Sequence, residues 1–192
     1  MLWLALCFPR LPLDVLERAD PAWAAQPLAI ADRLALRFVN GAARAAGLHP
    51  GMKRATALAL APTTLFQDDD AGAHRQALEA LACVAQRFTP SVAVWPPAAR
   101  GRSASRAPDE PHELGLLLEI GASLRLFGGL EALLERLSAE LSGQGVRCRA
   151  GIAAHPLPAW LFALQAATGC PNPDALLALA PLGHADDEAA RQ

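Results

Sequence analysis

The 192-residue sequence is short of several residue types and patterns, and each shortage removes a class of function. Lysine occurs once, as Lys53, and the 17 basic residues, otherwise all arginine, are outnumbered by 19 acidic ones for a net charge of −2. No global positive field therefore draws nucleic acid or an anionic membrane to the chain, and any DNA contact needs a local patch or a partner. The four cysteines, Cys7, Cys83, Cys148 and Cys170, lie far apart with no CxxC pair, which argues against a zinc site or a disulfide framework and fits a reducing compartment. The five histidines, His49, His74, His112, His155 and His184, form no HxxxH or HExxH pattern, so a metal site built from them is not expected. No apolar run reaches the roughly 18 residues of a membrane span. The apolar start, Met1 to Phe8, is interrupted by Arg10 and Pro12 and is too short for a cleavable signal. Internal repeats are absent. With 53% hydrophobic and 19% charged residues the chain is too apolar to be disordered, and a cytoplasmic globular protein with no membrane segment is the expectation.

What is present is a succession of short apolar runs. Leu2 to Phe8 (LWLALCF), closed by Pro9, reads as a buried strand, and Leu13 to Ala19 as a short helix between Pro12 and Pro21. Leu28 to Ala31 and Leu34 to Val39 read as two small strands around Asp32-Arg33. Helical stretches follow at Gly41 to Ala46, stopped by Gly47, and at Met52 to Leu60, closed by Pro62. Gln67-Asp68-Asp69-Asp70 places acid at the start of a long helix, Ala71 to Arg87, where the helix dipole favours it. Ser91 to Trp95 and Leu114 to Ile120 are strands on either side of a loop rich in Pro, Ala, Arg and Ser over 96–113, expected to be flexible. In the second of these strands Leu116 and Leu118 share one face, with Leu117 and Glu119 on the other. Gly128-Gly129 precedes an amphipathic helix, Leu130 to Leu141. A half-exposed strand, Val146 to Ile152, and a proline-initiated helix running to Ala167 complete the pattern, before a weak helical run at Asp174 to Ala180 and a polar tail.

With the insertion from Leu13 to Pro62 set aside, the order is strand, helix, strand, strand, helix, strand. This is the ferredoxin-like split βαβ order of an α+β fold, a four-stranded antiparallel sheet with both helices on one face. Right-handed crossovers put its first and third strands at the centre. Topology of this kind names no function by itself. The central pair is where carboxylates would converge on two metal ions in polymerase palms built this way, so the residues at its positions decide the chemistry.

Several segments carry a specific resemblance. LALCFPRLPLDVLE, ARAAGLHPGM with ALALAP, FTPSVAVW, LEIGASLRLFGG and VRCRAGIA follow, in order, the landmarks of Y-family translesion DNA polymerases from Leu2 to about Ala167. The sequence most resembles the ImuB-like subgroup, polymerase-related proteins of bacterial mutagenesis cassettes thought not to polymerise. The resemblance implies a palm strand at 1–12, a small, largely helical fingers-like insertion at 13–67, the rest of the palm at 68–155, and a truncated thumb start with a polar tail at 156–192.

Phosphoryl transfer by two metals needs carboxylates around ions about 3.5–4 Å apart, because hard Mg²⁺ prefers oxygen. Aligned on the family's motifs, the strand-one aspartates fall on Ala5 and Cys7, and the adjacent Asp-Glu pair on Leu114 and Gly115. A methyl, a thiol, an isobutyl group and a hydrogen supply no oxygen. The resemblance therefore implies no catalytic residues and no cofactor, Mg²⁺ being expected only if catalysis persists. The nucleotide pocket is reduced to Arg44, its tyrosine partner's position being Gly41, and the triphosphate lysine maps to Trp160. The positions that check the sugar fall near Pro9-Arg10. Gly128-Gly129 resembles the GG signature of nucleotide cyclases but lacks its acidic pair.

Residues available for DNA phosphates are Lys53, Arg54, Arg147 and Arg149, with Arg100, Arg102 and Arg106 in the loop; the alternative is that they are solubilising arginines. Arg147 and Arg149 are expected on one face of the last strand and Cys148 on the other. The tryptophans Trp3, Trp23, Trp95 and Trp160 read as core or interface residues rather than base platforms. Ser123 to Phe127 resembles, faintly, the peptides that bind the bacterial sliding clamp, as palm segments of this family do in general. The expected function is a non-catalytic adaptor in translesion synthesis, DNA repair and damage-induced (SOS) mutagenesis. By resemblance its partners are DNA, an error-prone replicative-type polymerase, a RecA-like accessory protein and the sliding clamp. Two alternatives stand beside it. One is an active Mg-dependent nucleotidyltransferase using relocated carboxylates from Asp14, Asp109, Glu110, Glu113 or Glu119; the other is a plain protein-interaction module.

Overall fold

A computed structural model describes residues 1–95 and 114–166, and these divide into two compact units. The loop 96–113, with Asp109, Glu110, Glu113, Arg100, Arg102 and Arg106, and the tail from 167 with its expected run at Asp174 to Ala180, lie outside the described residues. No helix among the described residues is long and apolar enough to cross a membrane.

The first unit comprises 1–9, 78–95 and 114–166. Its strands β1 (Trp3–Cys7), β5 (Val92–Trp95), β6 (Gly115–Glu119) and β7 (Arg149–Ala153) form one antiparallel sheet in the order β5-β6-β1-β7. The split βαβ order and its central β1/β6 pair are thus as the sequence implies. Both central strands are apolar but for Glu119 at the end of β6, as strands covered on both faces tend to be. Leu4, Leu6, Leu116 and Leu118 point to one side and are fully buried, as are Leu133, Leu134, Leu137 and Leu141 of helix α6 (Leu130–Gly143). Helix α4 (Ala71–Ala85) contributes Leu78, Leu81 and Ala85 to the same unit. The opposite sheet face is covered by helix α7 (Pro156–Gln165), through a cluster of Ala5, Cys7, Leu117, Ala159, Trp160 and Ala163. A short helix the sequence reading left out, α5 (Leu124–Phe127), ends on the left-handed Gly128.

Strand β7 begins at Arg149; Arg147 stands before it, exposed, and Cys148 between the two arginines is buried. The turn at Gln144-Gly145 that closes α6 delays regular pairing past the expected start at Val146.

The second unit, 10–77, holds α1 (Leu11–Ala19), a 3₁₀ turn, and a three-stranded sheet with two short helices, α2 (Gly41–Ala45) and α3 (Arg54–Leu60). Helix α1 starts before Pro12 rather than after it, since proline fits the first turn where its missing N–H costs nothing. Strands β2 (Leu28–Ala31) and β3 (Leu36–Val39) form the expected hairpin, and Asp32 Oδ1 accepts the N–H groups of Leu34 and Ala35 at 2.8 Å in its turn. The largely helical reading of this insertion needs a third strand: β4 (Leu65–Asp68) lies parallel to β2, giving the order β3-β2-β4. Its residues are only half-buried and two are polar, so neither alternation nor an apolar run marks it; main-chain bonding to β2 does. Asp68 therefore belongs to a strand, and of the acidic run it is Asp70 that caps α4, accepting from Gly72 and Ala73 at 2.9 and 3.0 Å.

Asn40 joins the parts of this unit. Its side-chain oxygen accepts from Leu28 N (3.1 Å) and Ala43 N (2.9 Å), and its amide donates to Trp23 O (3.2 Å) and Gln26 O (2.8 Å). The residue is 1% exposed, so truncation strands buried backbone groups without water. Asn40→Ala is expected to destabilise by about 2–3 kcal/mol, read as a lower urea midpoint, while a surface control such as Arg44→Ala changes little.

Arg37 lies buried on β3 between Asp32 Oδ2 (3.9 Å) and Asp69 Oδ2 (4.0 Å). Asp69 Oδ1 faces His74 Nδ1 at 3.5 Å, and the imidazole stands edge-on to Phe38. Burial holds the His74 pKa below its ordinary 6.5, against the opposing pull of Asp69 and then Asp70. The folded chain thus resists a proton that the unfolded chain accepts. The stability His74 contributes is complete above about pH 6.5 and is lost as pH falls from there toward the depressed folded value. His74→Gln is expected to flatten the fall in urea midpoint between about pH 7.5 and 5.5, the window in which histidine titrates.

Candidate functional site

The site the resemblance points to is the β1/β6 pair. In its register Ala5 faces Leu117 and Cys7 faces Gly115, and directly opposed residues of antiparallel strands point to the same side. The structure therefore brings Ala5, Cys7 and Gly115 together on one sheet face, with Leu114 one residue before β6, where its carbonyl accepts Phe8 N at 2.7 Å. Arg149 on β7 and Trp95 on β5 extend the row of Cys7 and Gly115 to the sheet's two edges.

This face is roofed by hydrocarbon. Proline at 156 opens α7, and residues three and four apart then line its inner side: Ala159, Trp160 and Ala163, all buried, while Leu157 and Leu161 stand half-exposed outside. Small residues on both partners allow close approach. A Cβ at Gly151 would strike Ala159 O and Ala163 N of the helix. A Cβ at Gly115 would strike Leu6 O and the Trp160 ring, with Cη2 at 2.6 Å. The indole thus fills the volume that any side chain at position 115 needs. Trp95 leans on it with ring centroids 5.7 Å apart, and Trp3 packs against the same cluster.

The donor set does not fit Mg²⁺. A magnesium ion needs oxygen ligands and retained waters; Ala5, Cys7, Gly115 and Leu114 carry a methyl, a thiol, a hydrogen and an isobutyl group, with Ala5 and Cys7 at 0–1% exposure and Leu114 half-buried. Among the described residues no group of three His, Cys, Asp or Glu side chains is placed to hold a metal.

The remaining predicted residues are distributed as follows. Glu119 Oε1 accepts from Gly121 N (3.0 Å) and Leu2 N (3.4 Å), so backbone amides engage this carboxylate. Asp14, buried on α1 in the second unit, faces Arg10 Nε at 3.8 Å, and that arginine also bonds Glu17 at 3.2 Å. Arg149 Nη1 donates to Leu164 O at 3.0 Å, satisfying a carbonyl in the last turn of α7. Arg54 bonds Asp68 at 3.4 Å and lies over the Phe66 ring, whereas Arg44 and Lys53 are exposed in the same unit. Trp23 packs on the cluster of Leu13, Leu28, Ile30 and Phe38, so all four tryptophans belong to packed clusters. In the clamp-like segment Leu126 is 82% exposed, but Phe127 stacks on Phe88 at 5.4 Å. Sequence reasoning noted a tryptophan at 160 and a glycine at 115 separately; their contact across the sheet face was not visible in it.

With this geometry in place, comparison defines first the class. The fold is that of the Y-family DNA polymerases. DinB from Sulfolobus solfataricus superposes with a TM-score of 0.62 at 16% identity, over 86% of this chain and 46% of that one. A post-insertion binary complex of Dbh DNA polymerase gives 0.64 at 16%, over 86% and 46%. Residues 8–163 match the model of the impB/mucB/samB family, and the chain belongs to that family. It is 38% identical over 137 residues to Protein ImuB of Caulobacter vibrioides, a match covering 71% of this chain and 25% of that protein. The chain thus spans about a quarter of the length of the relatives it matches.

Proposed function

We propose that the chain is the palm and fingers portion of a polymerase-like protein that serves damage-tolerant DNA synthesis as an adaptor and does not itself transfer nucleotides. In this reading the first unit is the palm, the second the fingers, and α7 the start of the thumb. The observation that carries it is the packing of Trp160 on Gly115. An active palm keeps an open, oxygen-lined floor at this point, while here an indole and small apolar groups occupy it. Family membership supports a role on DNA under damage. The proposed partners, in the cytoplasm, are an error-prone replicative-type polymerase, a RecA-like protein and the sliding clamp. DNA is held, if weakly, through exposed cations such as Arg44, Lys53 and Arg147, whose phosphate contacts position without reading sequence.

Primer extension with Mg²⁺ or Mn²⁺ on a primed template tests the catalytic half. The expected result is no extension above background, and any metal-dependent extension abolished by heat denaturation overturns it. Co-sedimentation with DNA at low and high salt tests the other half, because phosphate-dominated binding weakens steeply with salt.

A further inference from the structure

The palm unit carries a second feature that the polymerase-like reading does not use. Between the end of α4, α5 and the last turns of α6 lies a cleft of about 540 Å³, lined by Arg87, Phe88, Phe127, Arg136, Glu140 and Gln144 among others. Its floor is aromatic: Phe127 stacks on the buried Phe88, with rings 25° from parallel. Its rim is cationic. Arg87 bonds Glu140 at 2.9 Å, which consumes the one carboxylate in the lining. The Arg136 guanidinium lies over the Phe127 ring at 5.8 Å, and no carboxylate of the described residues is within 4.0 Å of it. Beside it α5 exposes Arg125 and a leucine, Leu126, that is 82% solvent-accessible. The lining therefore carries an excess of one positive charge, Arg87 and Arg136 against Glu140, beside an apolar patch, in a chain whose net charge is −2.

We propose that this cleft is a docking site for a short acidic segment of a partner protein, one that combines carboxylates with an aliphatic or aromatic side chain. A carboxylate pairs with Arg136 in fork geometry, and the apolar side chain covers Leu126 and the edge of Phe127. Charge complementarity selects the occupant: the cleft offers unneutralised guanidinium beside exposed hydrocarbon, which matches an acidic amphipathic peptide. Single-stranded nucleic acid fits less well, because base stacking uses an open ring face and Phe127 is already engaged by Phe88 and Arg136.

The test uses the 192-residue chain and three fluorescein-labelled probes: a peptide alternating Asp or Glu with Leu and Phe, the same peptide with Asn and Gln for the acids, and single-stranded DNA. Fluorescence anisotropy is expected to show saturable binding of the acidic peptide, weakened by salt. The neutral peptide and the Arg136→Glu variant should each reduce affinity at least about tenfold, the scale of one lost charge-assisted contact. Leu126→Ser, at an exposed position, should weaken binding with little change in salt dependence, and an unchanged melting curve for both variants shows that the fold is intact. Equal affinity of wild type and Arg136→Glu for the acidic peptide, or no saturable peptide binding at all, overturns the proposal. So does a loss confined to DNA, which makes the surface a nucleic-acid site. Because the cleft is separate from the Trp160-covered face, primer extension is unaffected by either outcome and the two readings fail independently.

Discussion

Gly115→Asp is expected to unfold much of the palm unit and not to create a metal ligand. The resemblance implies a carboxylate of the family's polymerases at this position, so a reading from alignment alone anticipates partial recovery of a site. The surroundings argue otherwise. Even a methyl group at position 115 meets the Leu6 carbonyl on the adjacent strand and the Trp160 ring above it, and one of these is backbone. Overpacking of this kind costs about 1–3 kcal/mol. An aspartate adds a carboxylate to a cluster of Ala5, Cys7, Leu117 and two indoles, with the cation of its row, Arg149, two strands away and bonded to the Leu164 carbonyl, and an uncompensated buried charge costs about 3–5 kcal/mol when its counterpart is missing. These terms overlap, since the carboxylate will protonate or swing out. A net loss of at least about 3 kcal/mol is still a large fraction of the 5–15 kcal/mol that holds a typical domain together. Urea denaturation followed by tryptophan fluorescence measures it directly, because Trp95 and Trp160 report on this face. Gly115→Ala separates the steric part from the charge. A Gly115→Asp protein that keeps its midpoint and binds Mn²⁺ stoichiometrically would show that the indole moves aside and that the face remains a latent active site.

How far the sequence foretold this arrangement depended on the kind of interaction. Leu2 to Phe8 and Leu114 to Ile120 announce themselves as buried strands because both faces are covered, so nearly every position is apolar, Glu119 at the end of the second being the exception. The β4 strand gave no such signal: Leu65 to Asp68 is half-buried at a sheet edge and is held by main-chain bonds to β2, to which side-chain identity contributes little. Aspartates behaved similarly. Asp68, Asp69 and Asp70 read as one acidic patch favoured by a helix dipole, yet their roles are a strand residue, a partner to buried Arg37 and His74, and an α4 cap. That Ala5, Cys7, Leu114 and Gly115 carry no carboxylate was legible, since residue type alone decides whether a side chain offers magnesium an oxygen. What occupies that face instead was not. Trp160 and Gly115 are 45 positions apart in the sequence, and only the path of α7 back over the sheet brings an indole onto a glycine. Arg149 shows the same limit from the other side: read as available to phosphates, it also donates to the Leu164 carbonyl of that helix.

The contact can be measured as a coupling. Trp160→Ala removes the largest side chain of the roof, 3% exposed in the native fold, and leaves a void lined by Gly115, Cys7, Leu117 and Trp95. Large-to-small substitutions of buried aromatics cost about 3–5 kcal/mol, and little local collapse is available because the sheet side already consists of small residues. The same void gives a methyl group at position 115 somewhere to go. Gly115→Ala should therefore cost less in the Trp160→Ala background than in the wild type, a coupling of about 1–2 kcal/mol in a double-mutant cycle. Relief will be partial, since the Leu6 carbonyl still opposes the added Cβ when the indole is gone. Strict additivity would mean that the indole does not bear on Gly115 in solution, and the case for a closed palm would lose its physical basis. Coupling of the expected sign means that helix α7 and the β1/β6 pair share one hydrophobic core. A larger side chain at position 115 would then come only at the expense of the packing that keeps the sheet folded.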